Sequence, residues 1–134
     1  MPPVMTSKNA ANIAKGKSAG AALARILRRN LAGVEVATEY AFAANLGRRY
    51  RFDVALVGPR IAIEIEGGAW IGGAHNRGPR FVRDIEKYGL AFSMGWNVVR
   101  ITHEDVKTLR AVRWVNEHMA YWRSLNGQRA EPEQ

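Results

Sequence analysis

Residues 51–66 read RFDVALVGPRIAIEIE, and this stretch decides the fold. Phe52, Val54 and Leu56 alternate with Arg51, Asp53 and Ala55. Ile61, Ile63 and Ile65 alternate with Ala62, Glu64 and Glu66. Alternation with period two is the mark of strands with one buried face. Gly58-Pro59 between the runs is a turn signal, so the two runs form an antiparallel hairpin. Facing residues in a hairpin have a constant index sum. A two-residue turn at Gly58-Pro59 pairs Val57 with Arg60, and the same sum sets Asp53 directly across from Glu64. A four-residue turn over 57–60 keeps that register. A three-residue turn would move one apolar set to the wrong face. If the apolar faces share a core, Asp53, Glu64 and Glu66 share the opposite face.

The flanking segments extend this unit. Val36, Thr38, Tyr40 and Phe42 alternate with Ala37, Glu39 and Ala41, which reads as a preceding strand with Glu39 able to join the acidic group. Before it, residues 18–32 read as a helix. Ser18 is the N-cap, Leu23, Ile26, Leu27 and Leu31 form the stripe, and Gly33 ends it. Residues 67–79 are rich in glycine and form a loop. Residues 80–94 are a helix, with Phe81, Ile85, Tyr88 and Phe92 on one face and Arg80, Asp84, Lys87 and Ala91 on another. Residues 96–102 are a strand. Residues 104–124 are a final helix with Leu109, Val112, Val115, Met119 and Trp122 inward. The element order is α-β-β-β-α-β-α, an α/β fold with a small mixed sheet. Residues 1–16 read as a basic flexible arm, 17–125 as the folded domain and 126–134 as a polar tail.

At 134 residues the chain is one domain, large enough to bury a core without crosslinks. It has no cysteine, which excludes disulfides, thiolate nucleophiles and cysteine-held metals. No apolar run is long enough to span a membrane and no secretory h-region stands near the start, so a cytoplasmic protein is expected. Twenty Lys+Arg against twelve Asp+Glu give a net charge of +8. The excess is one-sided. Residues 1–34 hold six basic residues (Lys8, Lys15, Lys17, Arg25, Arg28, Arg29) and no acid. Such a balance fits a polyanionic partner, with nucleic-acid phosphates the foremost candidate.

Against that background three carboxylates on one sheet face require a reason, since like charges placed across a sheet are destabilising. A hard divalent cation held by oxygen ligands supplies one. A solvated acidic face neutralised by Arg49 and Arg51 is the alternative. The segment Arg51-Phe52-Asp53, then Glu64-Ile65-Glu66-Gly67-Gly68 ten residues on, resembles the PD-(D/E)XK nuclease superfamily. The longer run looks closer to its phage-type and very-short-patch-repair-like members: Arg49 to Asp53, Glu64 to Gly68, His75-Asn76-Arg77-Gly78, Asp84 to Tyr88, Gly95-Trp96 and Val99-Arg100.

The resemblance covers roughly residues 36–102 and implies a restriction-endonuclease-like α-β-β-β-α-β core. It implies Asp53 and Glu64 as ligands of Mg²⁺, with Mn²⁺ as a substitute, and Glu66 and Glu39 as auxiliary acids. The lysine expected two residues after Glu64 is replaced by Glu66, and Lys87 on the following helix is the candidate to steer the attacking water or stabilise the phosphate. The glutamate often found in the first helix of these nucleases has no counterpart in residues 18–32. His75 is placed to donate to a phosphate or leaving group. Lys17, Arg25, Arg28, Arg29, Arg77, Arg80 and Arg83 are the candidate DNA-backbone contacts, and Trp70 a stacking residue.

The implied activity is metal-dependent endonucleolytic hydrolysis of DNA in a bacterial or phage-infected cell. Branched DNA is the implied substrate, as for Holliday junction resolvases in recombination, with a homodimer matching the junction's two-fold symmetry. A strand-nicking repair endonuclease and a non-catalytic DNA-binding module with the same fold are the alternatives. Ala11 to Ser18 nearly matches a phosphate-binding loop but lacks the first glycine and a preceding strand.

Overall fold

The structure is a computed structural model. It describes residues 7–67 and 78–130, with side chains placed within 17–67 and 78–126. The elements are α1 (Ser7–Asn30), β1 (Val36–Tyr40), β2 (Phe52–Leu56), β3 (Ile61–Glu66), α2 (Pro79–Ser93), β4 (Asn97–Thr102), α3 (His103–Lys107) and α4 (Arg110–Ala130), with a 3-10 turn at Ala44–Leu46. The sheet is mixed, in the order β1-β2-β3-β4. The first two pairings are antiparallel and the third is parallel. The parallel pair requires the crossover that α2 provides. Among the described residues no helix is long and apolar enough to cross a membrane.

The hairpin has the expected register. Val54 pairs with Ile63, Ala55 with Ala62 and Leu56 with Ile61, so the index sum is the one derived from the turn. The turn itself takes four residues, 57–60. Arg60 adopts a left-handed backbone (φ 57°), and its carbonyl accepts from Asn97 N at 2.9 Å. That bond ties the turn to the start of β4.

Two apolar layers sandwich the sheet. On one face Val54, Leu56, Ile61, Ile63 and Ile101 pack against Leu23, Leu27 and Leu31 of α1 and against Val106, Ala111, Val112, Val115 and Met119 of α3 and α4. On the other face Ala55 and Ala62 leave room for Ala91 of α2, and Phe42, Phe52 and Trp96 close the layer. Phe42 and Phe52 stack with ring centroids 4.1 Å apart, and Trp96 lies 5.1 Å from Phe52.

Several boundaries and faces depart from the sequence reading. Helix α1 begins at Ser7, so residues 7–16 are helical and not an arm; Ala10, Ala11 and Ala14 are strong helix formers. The near phosphate-binding loop at Ala11–Ser18 lies inside this helix and cannot cradle an anion as a loop. Strand β1 stops at Tyr40, short of Phe42. The last helix is two helices. Leu109 takes φ 62° after α3, and α4 then runs through residues expected to be tail. A non-glycine residue with left-handed backbone is uncommon, and the leucine gives no sign of it.

Phe52 shares parity with Val54 and Leu56, yet it packs on the α2 side. Opposite this point Glu39 has φ 49°. The β1–β2 pairing skips from Thr38↔Val54 to Tyr40↔Phe52, and the kink turns Tyr40 and Phe52 to the other layer.

Helix α3 starts with a reciprocal cap. Asp105 N donates to Thr102 Oγ1 at 3.3 Å and Thr102 N donates to Asp105 Oδ2 at 2.9 Å. Thr102→Ala removes one arm of this box and is expected to cost about 1 kcal/mol, measured as a shift in the urea unfolding midpoint at constant m.

Candidate active site

The chemistry gathers where the β2–β3 ladder ends. The last Cα pair is Val54↔Ile63. One step further, side chains take over the role of backbone acceptors. Asp53 N donates to Glu64 Oε2 at 3.2 Å, and Ile65 N donates to Asp53 Oδ2 at 2.7 Å. Each carboxylate thus occupies a backbone donor of the opposing strand, which holds two like charges side by side. Asp53 Oδ1 has no protein donor among the described residues.

Glu64 is the one buried charged residue among the described residues, at 6% exposure. Its Oε1 accepts from Lys87 Nζ of α2 and lies 3.4 Å from the Tyr88 hydroxyl. Burial pushes the Glu64 carboxyl above its ordinary range. Lys87 pulls it back, and the Asp53 charge pushes it up again. The ammonium sits 5.6 Å from the Phe52 ring centroid and 5.5 Å from that of Tyr88, where aromatic faces favour a cation. Burial also holds the Tyr88 hydroxyl protonated, with the Glu64 charge as a second cause.

On the other side Glu66 Oε1 accepts from Arg100 Nε at 2.5 Å, and the Arg100 guanidinium lies 5.5 Å from the Tyr88 ring. Tyr88 therefore contacts both cations. Arg100 is the register partner of Glu64 in the parallel pair β3–β4. The flanking pairs of β1 and β2 put Glu39 level with Asp53. One line across the sheet thus runs Glu39, Asp53, Glu64, Arg100.

The sequence candidates divide accordingly. Asp53, Glu64, Glu66 and Lys87 converge. Glu39 is level with Asp53 but exposed, and it makes no hydrogen bond or ion pair among the described residues. Helix α1 approaches Asp53 at Gly20, where an added Cβ would lie 3.7 Å from the Asp53 carbonyl oxygen. No acid from that helix completes the site. Lys17, close to Gly20 along α1, and Arg80 and Arg83 on α2 are exposed. Arg28 is exposed and tied to β1. Its Nε and Nη2 donate to the Val36 carbonyl at 3.2 and 2.9 Å. Val36 pairs with Leu56 at the far end of β2 from Asp53, so Arg28 and its neighbour Arg29 lie away from the carboxylates. Arg25 is exposed on the same helix. Trp70, His75 and Arg77 lie outside the described residues.

Tyr88 and Arg100 were missed as site residues. Tyr88 reads as part of an apolar stripe. The signal for Arg100 is the parallel register, which requires knowing that β3 and β4 pair.

Among the described residues no three His, Cys, Asp or Glu side chains cluster as a metal cage. Two adjacent carboxylates, one with an uncommitted oxygen, fit a Mg²⁺ that keeps most of its waters. Comparison with protein-family models, curated proteins and solved structures finds no match for this chain.

The Glu64–Lys87 pair gives a pH test. In Lys87→Met the Glu64 carboxyl, already above its ordinary 4.5, loses its counter-ion and rises further. A raised carboxyl keeps its stability below the unfolded-state value and loses it as pH climbs through the raised one. Without added metal the variant is expected to lose about 3 kcal/mol at pH 8 and clearly less at pH 4.5, read from urea unfolding at both values.

Proposed function

We propose that this chain is a Mg²⁺-dependent DNA endonuclease of the PD-(D/E)XK type. The observation that carries the reading is the reciprocal clasp of Asp53 and Glu64. Two carboxylates are fixed side by side at a strand end, with a lysine ammonium against one and, on the other, an oxygen that no described residue engages. Asp53 and Glu64 would hold the ion. When bound, it would polarise a phosphoryl oxygen and lower the pKa of a coordinated water.

The chain's own residues supply the rest. Ile65 N and Asp53 N orient the two carboxylates, so little reorganisation is needed on binding. Lys87 balances the Glu64 charge, and its ammonium would be within the site to steer the attacking water or stabilise the phosphate. Tyr88 and Phe52 keep that ammonium in place. Arg80, Arg83 and Lys17 give phosphate contacts, in keeping with the net charge of +8. The proposed substrate is branched DNA, cut by a pair of copies that matches its symmetry. A strand-nicking repair enzyme would use the same site.

A non-catalytic DNA-binding module is the second reading. It is favoured by one feature: Glu64 already has a counter-ion in Lys87, so its charge is balanced without metal.

A labelled four-way junction and a matching duplex, incubated with Mg²⁺, Mn²⁺ or EDTA, separate these readings. Cutting is expected with either metal and not with EDTA, the junction being preferred. Asp53→Asn is expected to abolish it while leaving unfolding nearly unchanged, since the amide oxygen can still accept from Ile65 N. A junction retarded but uncut in every lane, with no Mn²⁺ heat in calorimetry, would leave the binding module.

A further inference from the structure

Helix α2 faces the sheet with a mixed side, in which Lys87 accompanies Leu90 and Ala91. Lys87 and Ala91 point inward. The apolar side is left outside: Phe81 is 51% exposed, Val82 65%, Ile85 58% and Phe92 83%. On a helix these residues and Gly89 form one continuous stripe. Exposed apolar residues scattered singly need no explanation, but a contiguous stripe of four does.

Gly89 sharpens the argument. In a helix interior glycine costs about 1 kcal/mol against alanine. Among the described residues nothing asks for it, because an added Cβ would meet none of their atoms within 4 Å. A gap in the middle of an apolar stripe is of use to a neighbour that approaches closely.

We propose that this face binds a second copy of the chain through antiparallel α2–α2 packing about a two-fold axis. This rests on the α2 surface and not on the chemistry at Asp53. Ile85 and Gly89 lie equally far from the level of Lys87, in opposite directions, and so do Val82 and Phe92. An antiparallel two-fold at that level sets Ile85 of each copy against Gly89 of the other. It sets Phe92 against the partner's Phe81–Val82 turn. The stripe is thus complementary to itself, knob to gap, as an isologous interface requires.

It also carries no charge, so apposing two copies brings no like charges together within it. All four large side chains are more than half exposed, which gives the apolar centre of an interface; the rest of the roughly 800 Å² per partner of a standard interface would come from the residues around the stripe.

Sedimentation equilibrium on the full chain tests this, with the wild type, Phe92→Glu, Gly89→Leu and Asp53→Asn compared over a concentration series. The wild type and Asp53→Asn are expected to be dimers with the same Kd, and Phe92→Glu a monomer with an unchanged circular dichroism spectrum. Gly89→Leu is expected to weaken the dimer at least about tenfold, although leucine adds apolar surface and helix propensity. A general apolar stickiness would instead be strengthened by that leucine. A monomeric wild type, a Phe92→Glu that stays dimeric, or a Gly89→Leu that binds as well or better would each overturn the proposal. Failure of Asp53→Asn to cleave DNA has no bearing on the outcome.

Discussion

The burial of one carboxylate governs the arrangement of this molecule. Glu64 lies within a strand at 6% exposure, and an ionised carboxyl there is costly unless charge and hydrogen bonds compensate it. The compensation comes from two directions. Asp53 N reaches Glu64 from the adjacent strand, and Lys87 reaches it from α2. The second contact sets the roll of the helix. With Lys87 turned to the sheet, Ala91 follows it inward and packs with Ala55 and Ala62. Phe81, Ile85 and Phe92 are then carried to the outside. The exposed stripe and the buried ion pair are two consequences of one rotation about the α2 axis.

That coupling explains what was legible in the sequence and what was not. The β2–β3 register followed from Gly58-Pro59 and the alternation on either side, because a one-residue slip would have put isoleucines in water. The pairing of Asp53 with Glu64 came with it. The direction of α2 did not. Periodicity separates a helix into two faces, but it assigns the apolar one inward only when burial of apolar area dominates the packing. Here a buried anion outweighs it, and no single-sequence pattern announces that Glu64 is covered while Glu66, two residues on, is only half-buried.

The misplacements at Phe52 and Leu109 share a different cause. Both sit at or beside a left-handed backbone on a non-glycine residue, Glu39 in the first case and Leu109 itself in the second. Glycine would have advertised such a turn, whereas glutamate and leucine conceal it. At Glu39 the kink does more than end β1. It moves Tyr40 and Phe52 to the α2 layer, and the Phe52 ring then lies 5.6 Å from the Lys87 ammonium.

The charge balance along the row fixes what the site can accept. Lys87 cancels Glu64, and Arg100 cancels Glu66. Asp53 is left with an anionic oxygen that no described residue neutralises, although its other oxygen is engaged by Ile65 N. A cation held by that oxygen would find Glu64 beside it, with Oε2 on Asp53 N and Oε1 on Lys87. Any pull of such a cation on Glu64 would weaken its pair with Lys87. An ammonium released beside a phosphate is useful in hydrolysis, whereas one left without a partner in a half-buried site is destabilising. On the proposed reading, a cation would be held best when an anionic phosphate arrived with it to receive Lys87.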